Sequence, residues 1–419
     1  MRSMKMILKR GLSAAALGLL ASGGMVGATM TVAAPAHAQS KEFVDSYMAA
    51  KTAYEARKYS DAVSKLDEAA RHAKSTKEKA AVEEMRIGSY SQLRKHADLL
   101  KAIDARMALG GLSAGQTSNF KRLQADAYDA TGQKAKAMAI IEQMVGEGGG
   151  TSTELAYLAQ AALNAKQYDK AISYANKAIE KMRAEGKNST APYNILLKAY
   201  QDTGKKDQYY ATLERIAPVF KTETYWKPLI EKTKTEAKFK SAEGLLDVYR
   251  AFDATSVKLT DKEKAEMGEQ ALVRQMPIEA EKVLSPLAKT GAFGGASDPR
   301  ADRNKRMFAQ VQADAKAAKA GGLEKAEAAA ASAATGAPLV QAGEQYYSAG
   351  DYKKATDLIQ KGIAKGQLEP GALAYAQLHL GMAQYKAGQK DAARKTWSEV
   401  KADNGAGWLA RVWTAISKT

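Results

Sequence analysis

Near its C-terminal end the chain writes one helical hairpin twice. Tyr346, Gly350, Tyr352 and Ala355 are followed by Gly381, Tyr385, Gly388 and Ala393, with the two turn glycines 38 residues apart. Pro370 stands between the copies, just ahead of a new helical pattern. A period in this range marks a unit that cannot bury its apolar face alone and must stack on its neighbours. The chain is thereby restricted to stacked helical hairpins, an architecture that makes surfaces more readily than enclosed active sites.

Weaker copies run upstream. Tyr59, Ala62, Leu66 and Ala69 place a small apolar stripe on one helix face. Ser75 with Glu78, Thr151 with Glu154 and Thr260 with Glu263 predict capping boxes, in which each side chain satisfies a free N–H at a helix start. A degenerate pair spans Ala80 to Leu109 around Ile87 and Gly88. A clearer unit follows through Phe120, Leu123, Tyr128, Gly132, Ala137 and Ile141. Leu155, Leu158, Ala159, Ala171, Ala175 and Ala178 mark a fourth unit, and a fifth ends at Pro218. The middle is less regular. Tyr225, Trp226 and Pro228 predict a helix to about Ala251, Pro277 opens a partner helix, and Asp298-Pro299 reads as a helix start. Residues 313–337 are mostly Ala, Lys, Glu and Gly, either a weakly packed helix or a tether. A last helix carries Trp408 and Trp413, placed to seal the terminal stacking face.

No stretch alternates with the period of a strand, so the expected fold is all-α. The organisation read from the sequence is a signal peptide (1–38), an N-terminal repeat array (39–220), an irregular helical segment (221–312), the Ala-rich linker or helix (313–337) and a C-terminal hairpin pair with its capping helix (338–419). Arg2, Lys5, Lys9 and Arg10 precede an uncharged run, and Ala36-His37-Ala38 has the small-x-small form of a cleavage site. Export to a bacterial periplasm, with cleavage near Ala38, is the expectation; an uncleaved anchor is the alternative. There are no cysteines, which excludes disulfides, thiolate metal sites and thiol chemistry. The formal net charge is +17. In an exported protein this points to anionic membrane or cell-wall surfaces rather than nucleic acid, or simply to lysines solvating outer helix faces.

The set of small residues at fixed offsets resembles the tetratricopeptide repeat family. The matching positions are Gly350 and Ala355, Gly388 and Ala393, Gly132 and Ala137, and Ala171 with Ala178, with Leu380-Gly381 and Leu158-Ala159 as first-helix contact pairs. Clear matches cover about half of the chain that follows the signal peptide. Tyr209 and Gly362 depart from the pattern. The stretch from Tyr225 to Ala280 also looks like segments of exported envelope repeat proteins. The resemblance implies a hairpin solenoid that binds protein or peptide partners along a concave groove lined by first helices. Carried onto this chain, the groove positions are Tyr47, Lys51, Tyr54, Gln160, Asn164, Lys198, Gln201, Glu344, Tyr347, Met382 and Tyr385. Tyr, Asn and Gln suit a peptide, because rings give area and amides pair with its backbone. The alternative for each Tyr is a packing role.

Catalytic patterns are few. Gly111 to Gly115 fits G-x-S-x-G around Ser113, but a nucleophile elbow needs a strand before it, and a helical pattern stands there instead. Ser118 to Lys121 fits S-x-x-K and Lys289 to Gly291 fits K-T-G, with no S-D-N element to complete the set. His72, His96 and His379 are isolated and lack paired ligand spacing. The expectation is a non-enzymatic scaffold or adaptor for envelope proteins, with no cofactor and no metal. The alternatives are an accessory factor of an envelope transport or energy-transduction system, and a protein held electrostatically at a membrane or wall surface.

Overall fold

Consecutive helices pair through one repeated turn. A computed structural model describes residues 40–419, apart from 242 and 297. The segment expected to be a signal peptide, with the expected cleavage site and His37, lies outside the described residues. Every regular element among them is a helix. The described helices group into two compact units, divided between Ile195 and Leu196.

The first unit contains α1 (Lys41–Glu55), α2 (Tyr59–His72), α3 (Thr76–Leu93), α4 (His96–Ala108), α5 (Ala114–Ala130), α6 (Lys134–Gly146), α7 (Ser152–Asn164) and α8 (Tyr168–Ala184). The division falls inside α9 (Ala191–Asp202). The second unit continues with α10 (Lys206–Phe220), α11 (Glu223–Thr235), α12 (Leu245–Asp253), α13 (Asp261–Val273), α14 (Pro277–Thr290), α15 (Ala301–Ala317), α16 (Leu323–Ser332), α17 (Ala337–Ala349), α18 (Tyr352–Lys365), α19 (Pro370–Lys386), α20 (Lys390–Ser398) and α21 (Gly405–Ile416).

Each hairpin turn has one residue in the left-handed region. These are Arg57, Arg94, Gly132 and Lys166 in the first unit, and Gly204, Gln275, Gly350 and Gly388 in the second. The N–H after each donates to the carbonyl five residues back, at 2.8–3.0 Å, from Lys58 to Ala53 through to Gln389 to Gln384. This is the Schellman closure, which satisfies carbonyls left free at a helix end. The repeat therefore runs through α13 and α14, inside the stretch that reads as irregular in sequence.

The small positions behave as the resemblance implies. Ala137, Ala171, Ala178, Ala355 and Ala393 are completely buried where paired helices cross. At Gly381 a methyl group would lie 2.2 Å from Trp397 Nε1. The predicted capping boxes at Ser75, Thr151 and Thr260 are all formed, and Ser113 forms a fourth with Gln116. The serine of the apparent nucleophile elbow is thus a helix cap. The result is an all-α, tetratricopeptide-like stack of helical hairpins.

Several local expectations are corrected. Gly88 is no turn; it lies inside α3, where the ring of Tyr54 covers it. The helix expected from Tyr225 to Ala251 is broken into α11, a short 3-10 turn (Ala237–Phe239) and α12. Pro218 sits within the last turn of α10, which runs on to Phe220. Asp298 precedes its helix rather than capping it, accepting from the N–H groups of Gly294 and Arg300 and from Asn304 Nδ2. The Ala-rich stretch is helical on both sides of a kink at Ala318–Gly322, where Gly321 has φ 102°, and Ala315 and Ala330 are buried.

The terminal helix departs most from expectation. Trp413 packs on Trp397 and Tyr385 of the last hairpin, at 6.1 and 6.0 Å between ring centroids, as a seal would. Trp408 reaches instead to the start of the second unit. Its indole N–H donates to Leu229 O at 3.0 Å, and its ring stacks on Phe239 and meets Tyr210 edge-on. Helix α21 thus packs against α10, α11 and α12 as well as α19 and α20. The second unit closes on itself.

Candidate functional site

That closure places a charged network in the interior of the second unit. Helix α12 is otherwise apolar there, with Leu246, Val248, Tyr249, Ala251 and Phe252 all buried. Within it, Asp247 and Arg250 are buried too, at 1% and 6% exposure. Burying charge is affordable only when it is paired and hydrogen-bonded. Arg250 Nη1 donates to Asp247 Oδ1 at 2.9 Å, and its Nε and Nη2 grip Glu279 of α14 at 2.9 and 2.5 Å. His379 of α19 lies between two carboxylates, with Nε2 2.8 Å from Asp247 Oδ2 and Nδ1 2.6 Å from Glu344 Oε1 of α17. Arg274 donates to the other Glu344 oxygen at 3.0 Å.

The protonation states follow from this geometry. Burial pushes the His379 ring down, but the carboxylates of Asp247 and Glu344 overcome it and lift the pKa to about 9. Burial pushes Asp247 up, and His379 with Arg250 and Arg274 holds it down at about 2. Glu344 is lowered in the same way, burial being outweighed by His379 and Arg274. With His379 protonated, three carboxylates face three cations and the set is neutral. Each of the six has an opposite charge within the set. The arrangement ties α12, α14, α17 and α19 together, and Arg274 also approaches Glu243 at its edge, at 4.0 Å. Among the described residues no cluster of His, Cys, Asp and Glu is arranged to hold a metal ion.

Two expected groove residues fall inside this interior. Glu344 is a member of the network, and Met382 is 1% exposed. Neither is available to a partner, because closure by α12 and α21 covers the face that an open stack would leave free. Tyr347 lies beneath the Arg250 guanidinium, 4.9 Å from it, and burial drives its hydroxyl pKa upward. Tyr385 is half-buried between Trp397 and Trp413. Lys198 and Gln201 are exposed on α9, with Lys198 paired to Asp202 at 2.6 Å.

The first unit presents a different face. Tyr47 and Tyr54 are half-buried against the Phe43, Leu66 and Val82 core, and Lys51 sits 3.9 Å from Glu55. On α7, Gln160 is half-buried and Asn164 exposed, joined by a 3.0 Å side-chain hydrogen bond. Tyr157 lies one turn earlier on the same face and donates to Asp129 of α5 at 2.8 Å. Arg122 of α5 reaches Glu154 of α7, also at 2.8 Å. These bonds hold α5 and α7 side by side as one polar, half-exposed surface. Asp126 belongs to it; burial, then Glu154 and Asp129, pushes its carboxyl up to about 6 against the pull of Arg122.

Sequence reasoning missed Asp247, Arg250, Arg274 and Glu279, and took His379 as isolated. The available signal was a pair of opposite charges inside the apolar run of α12. Its partners lie 29 to 132 residues away along the chain.

No protein-family model matches this chain, and comparison with curated proteins finds no match. Among solved structures it is similar to a chain of the Naa15/Naa10 complex bound to HypK-THB, at 13% identity and a TM-score of 0.39, over 86% of this chain and 53% of that one. It thus spans about half the length of that protein. It is also similar to yeast Tom70, at 11% identity and a TM-score of 0.24, over 90% of this chain and 96% of the other. The fold class rests on the hairpin turns and helix crossings themselves, and neither likeness assigns an activity or a partner.

Proposed function

We propose that this chain is a non-enzymatic protein-interaction scaffold whose partner binds the α5–α7 face of the first unit. The observation that carries this reading is the contrast between the units. The second unit fills its first-helix face with its own ion pairs, whereas the first leaves Tyr157, Gln160 and Asn164 aligned and partly open to solvent. A face already ordered by its own hydrogen bonds binds with little further loss of side-chain entropy. The excess of carboxylates around Asp126 favours a partner segment carrying a cation. The finer reading is an exported, periplasmic protein with partners in the cell envelope, and it rests on the N-terminal sequence.

The test is crosslinking of the tagged full chain in intact cells, with mass spectrometry of what it captures. The same experiment is run on a Tyr157→Ala, Gln160→Ala variant. Loss of a defined set of envelope proteins in the variant, with the helical circular-dichroism spectrum unchanged, supports the reading. Undiminished capture by the variant refutes the assignment of this face. The net charge of +17 favours a second reading, attachment to an anionic membrane or wall surface. Only that material would then be captured, and it would be released in high salt.

A further inference from the structure

A cleft of about 450 Å3 opens in the second unit between the end of α11, the 3-10 turn and the start of α12. Its volume falls in the usual range for small-molecule sites, about 300–1,000 Å3. Phe239, Leu245, Val248 and Leu409 give it an apolar floor, and Lys234 and Lys240 line it with two ammonium groups.

The lysines of this stretch divide in two. Lys232 lies 3.9 Å from Glu236 and is enclosed by the rings of Trp408 and Tyr210, and Lys238 pairs with Asp403 at 3.1 Å. Lys234 and Lys240 are the two that line the cleft. Among the described residues, neither reaches a carboxylate at ion-pair distance. Lys234 donates to Tyr249 OH at 3.2 Å and lies 4.3 Å from the centre of that ring and 5.7 Å from that of Phe252, so the rings hold it in place while N–H donors remain for an anion. The hydroxyls at the cleft are already engaged. Thr233 donates to Ile230 O, and Ser241 accepts from Gly244 N while pairing with Tyr375 OH. The donors left for a ligand are therefore the two ammonium groups, standing over an apolar surface.

We propose that this cleft binds a small organic anion with an apolar body. The anionic head is held by Lys234 and Lys240, and the body lies on Leu245, Val248 and Phe239. Charge-assisted bonds from two lysines select a carboxylate or a similar anion, and the floor rejects a small hydrated ion that cannot cover it. The site belongs to the second unit and shares no residue with the α5–α7 face of the first, so each proposal stands or falls without the other.

The test is calorimetric titration of the full chain with decanoate below its micellar concentration, with 1-decanol, decyltrimethylammonium and acetate as controls. Trp408 fluorescence gives a second readout, because its ring stacks on Phe239 at 5.8 Å. Decanoate is expected to bind at one site and the controls much more weakly. Lys240→Gln alters an exposed side chain and leaves the fold intact. That change alone should weaken decanoate binding about tenfold, the value of one charge-assisted bond. Leu245→Trp, which fills the cleft, should abolish binding with the thermal transition retained. Equal binding of decanol and decanoate, undiminished binding by Lys240→Gln, or no binding of decanoate to the folded wild-type chain each overturns the proposal.

Discussion

Replacing His379 by Gln removes the member of the buried network whose charge changes on mild alkalinisation. The ring's pKa is lifted from an ordinary 6.5 to about 9 in the folded chain. A difference of that size between folded and unfolded states corresponds to about 3 kcal/mol. Because the folded value is the higher one, the stabilisation is fully present below pH 6.5 and is lost as pH rises through 9. For Asp247, held at about 2, the sign reverses: its stabilisation is present above pH 4 and is lost on acidification towards 2. The second unit should therefore be most stable between about pH 4 and 6.5. All four tryptophans, at 226, 397, 408 and 413, lie in that unit, so their fluorescence reports its unfolding alone. Thermal melts of the wild type followed this way should drop by about 6–12 °C between pH 6.5 and 9, taking 2–4 °C per kcal/mol for a unit of this size. His379→Gln should melt lower at pH 6, with a loss of about 3 kcal/mol or more, because Asp247 and Glu344 then face each other without their shared cation. The variant should also be much flatter across the same pH range. Parallel pH profiles for the two proteins would refute the network as drawn.

Two further perturbations test the packing and the turns. Gly381→Ala pushes a methyl group against Trp397, whose indole is buried and donates to Leu378 O at 3.1 Å. The ring is buried and its N–H is engaged, so a cost of about 1–3 kcal/mol should appear as a lower urea midpoint by tryptophan fluorescence; an unchanged midpoint would mean the crossing is looser than described. At the turns, Lys166 has φ 57° and an exposed side chain, and Gly388 has φ 85°. Lys166→Gly should stabilise by up to about 1 kcal/mol and Gly388→Ala should destabilise by about as much. Circular-dichroism melts showing the opposite order would refute the shared turn geometry.

The two C-terminal glycine turns were legible because glycine announces a left-handed residue. The same turn at Arg57, Arg94, Lys166 and Gln275 was not, because there the surrounding helix closure, rather than the residue type, selects the conformation. This is why the α13–α14 hairpin reads as irregular in sequence and is regular in space. Capping boxes at Ser75, Thr151 and Thr260 were readable for the opposite reason: both partners lie within four residues of each other.

The groove assignments show the same division. Asn164, Lys198 and Gln201 are exposed and Gln160 is half-exposed, since helix period alone sets which side of a helix they occupy. Glu344 and Met382 do not, because what covers them comes from α12 and α21, distant in the chain. By itself the sequence determined the helical hairpins, their period, their small-residue crossings and most of their caps, all of which depend on neighbours within a few turns. Only the tertiary structure decided that the second unit closes on itself and that His379 sits between Asp247 and Glu344. It likewise decided that Lys234 and Lys240 line one cleft over an apolar floor. These outcomes depend on which distant charges and rings are brought together as the chain closes, and local periodicity carries no record of that.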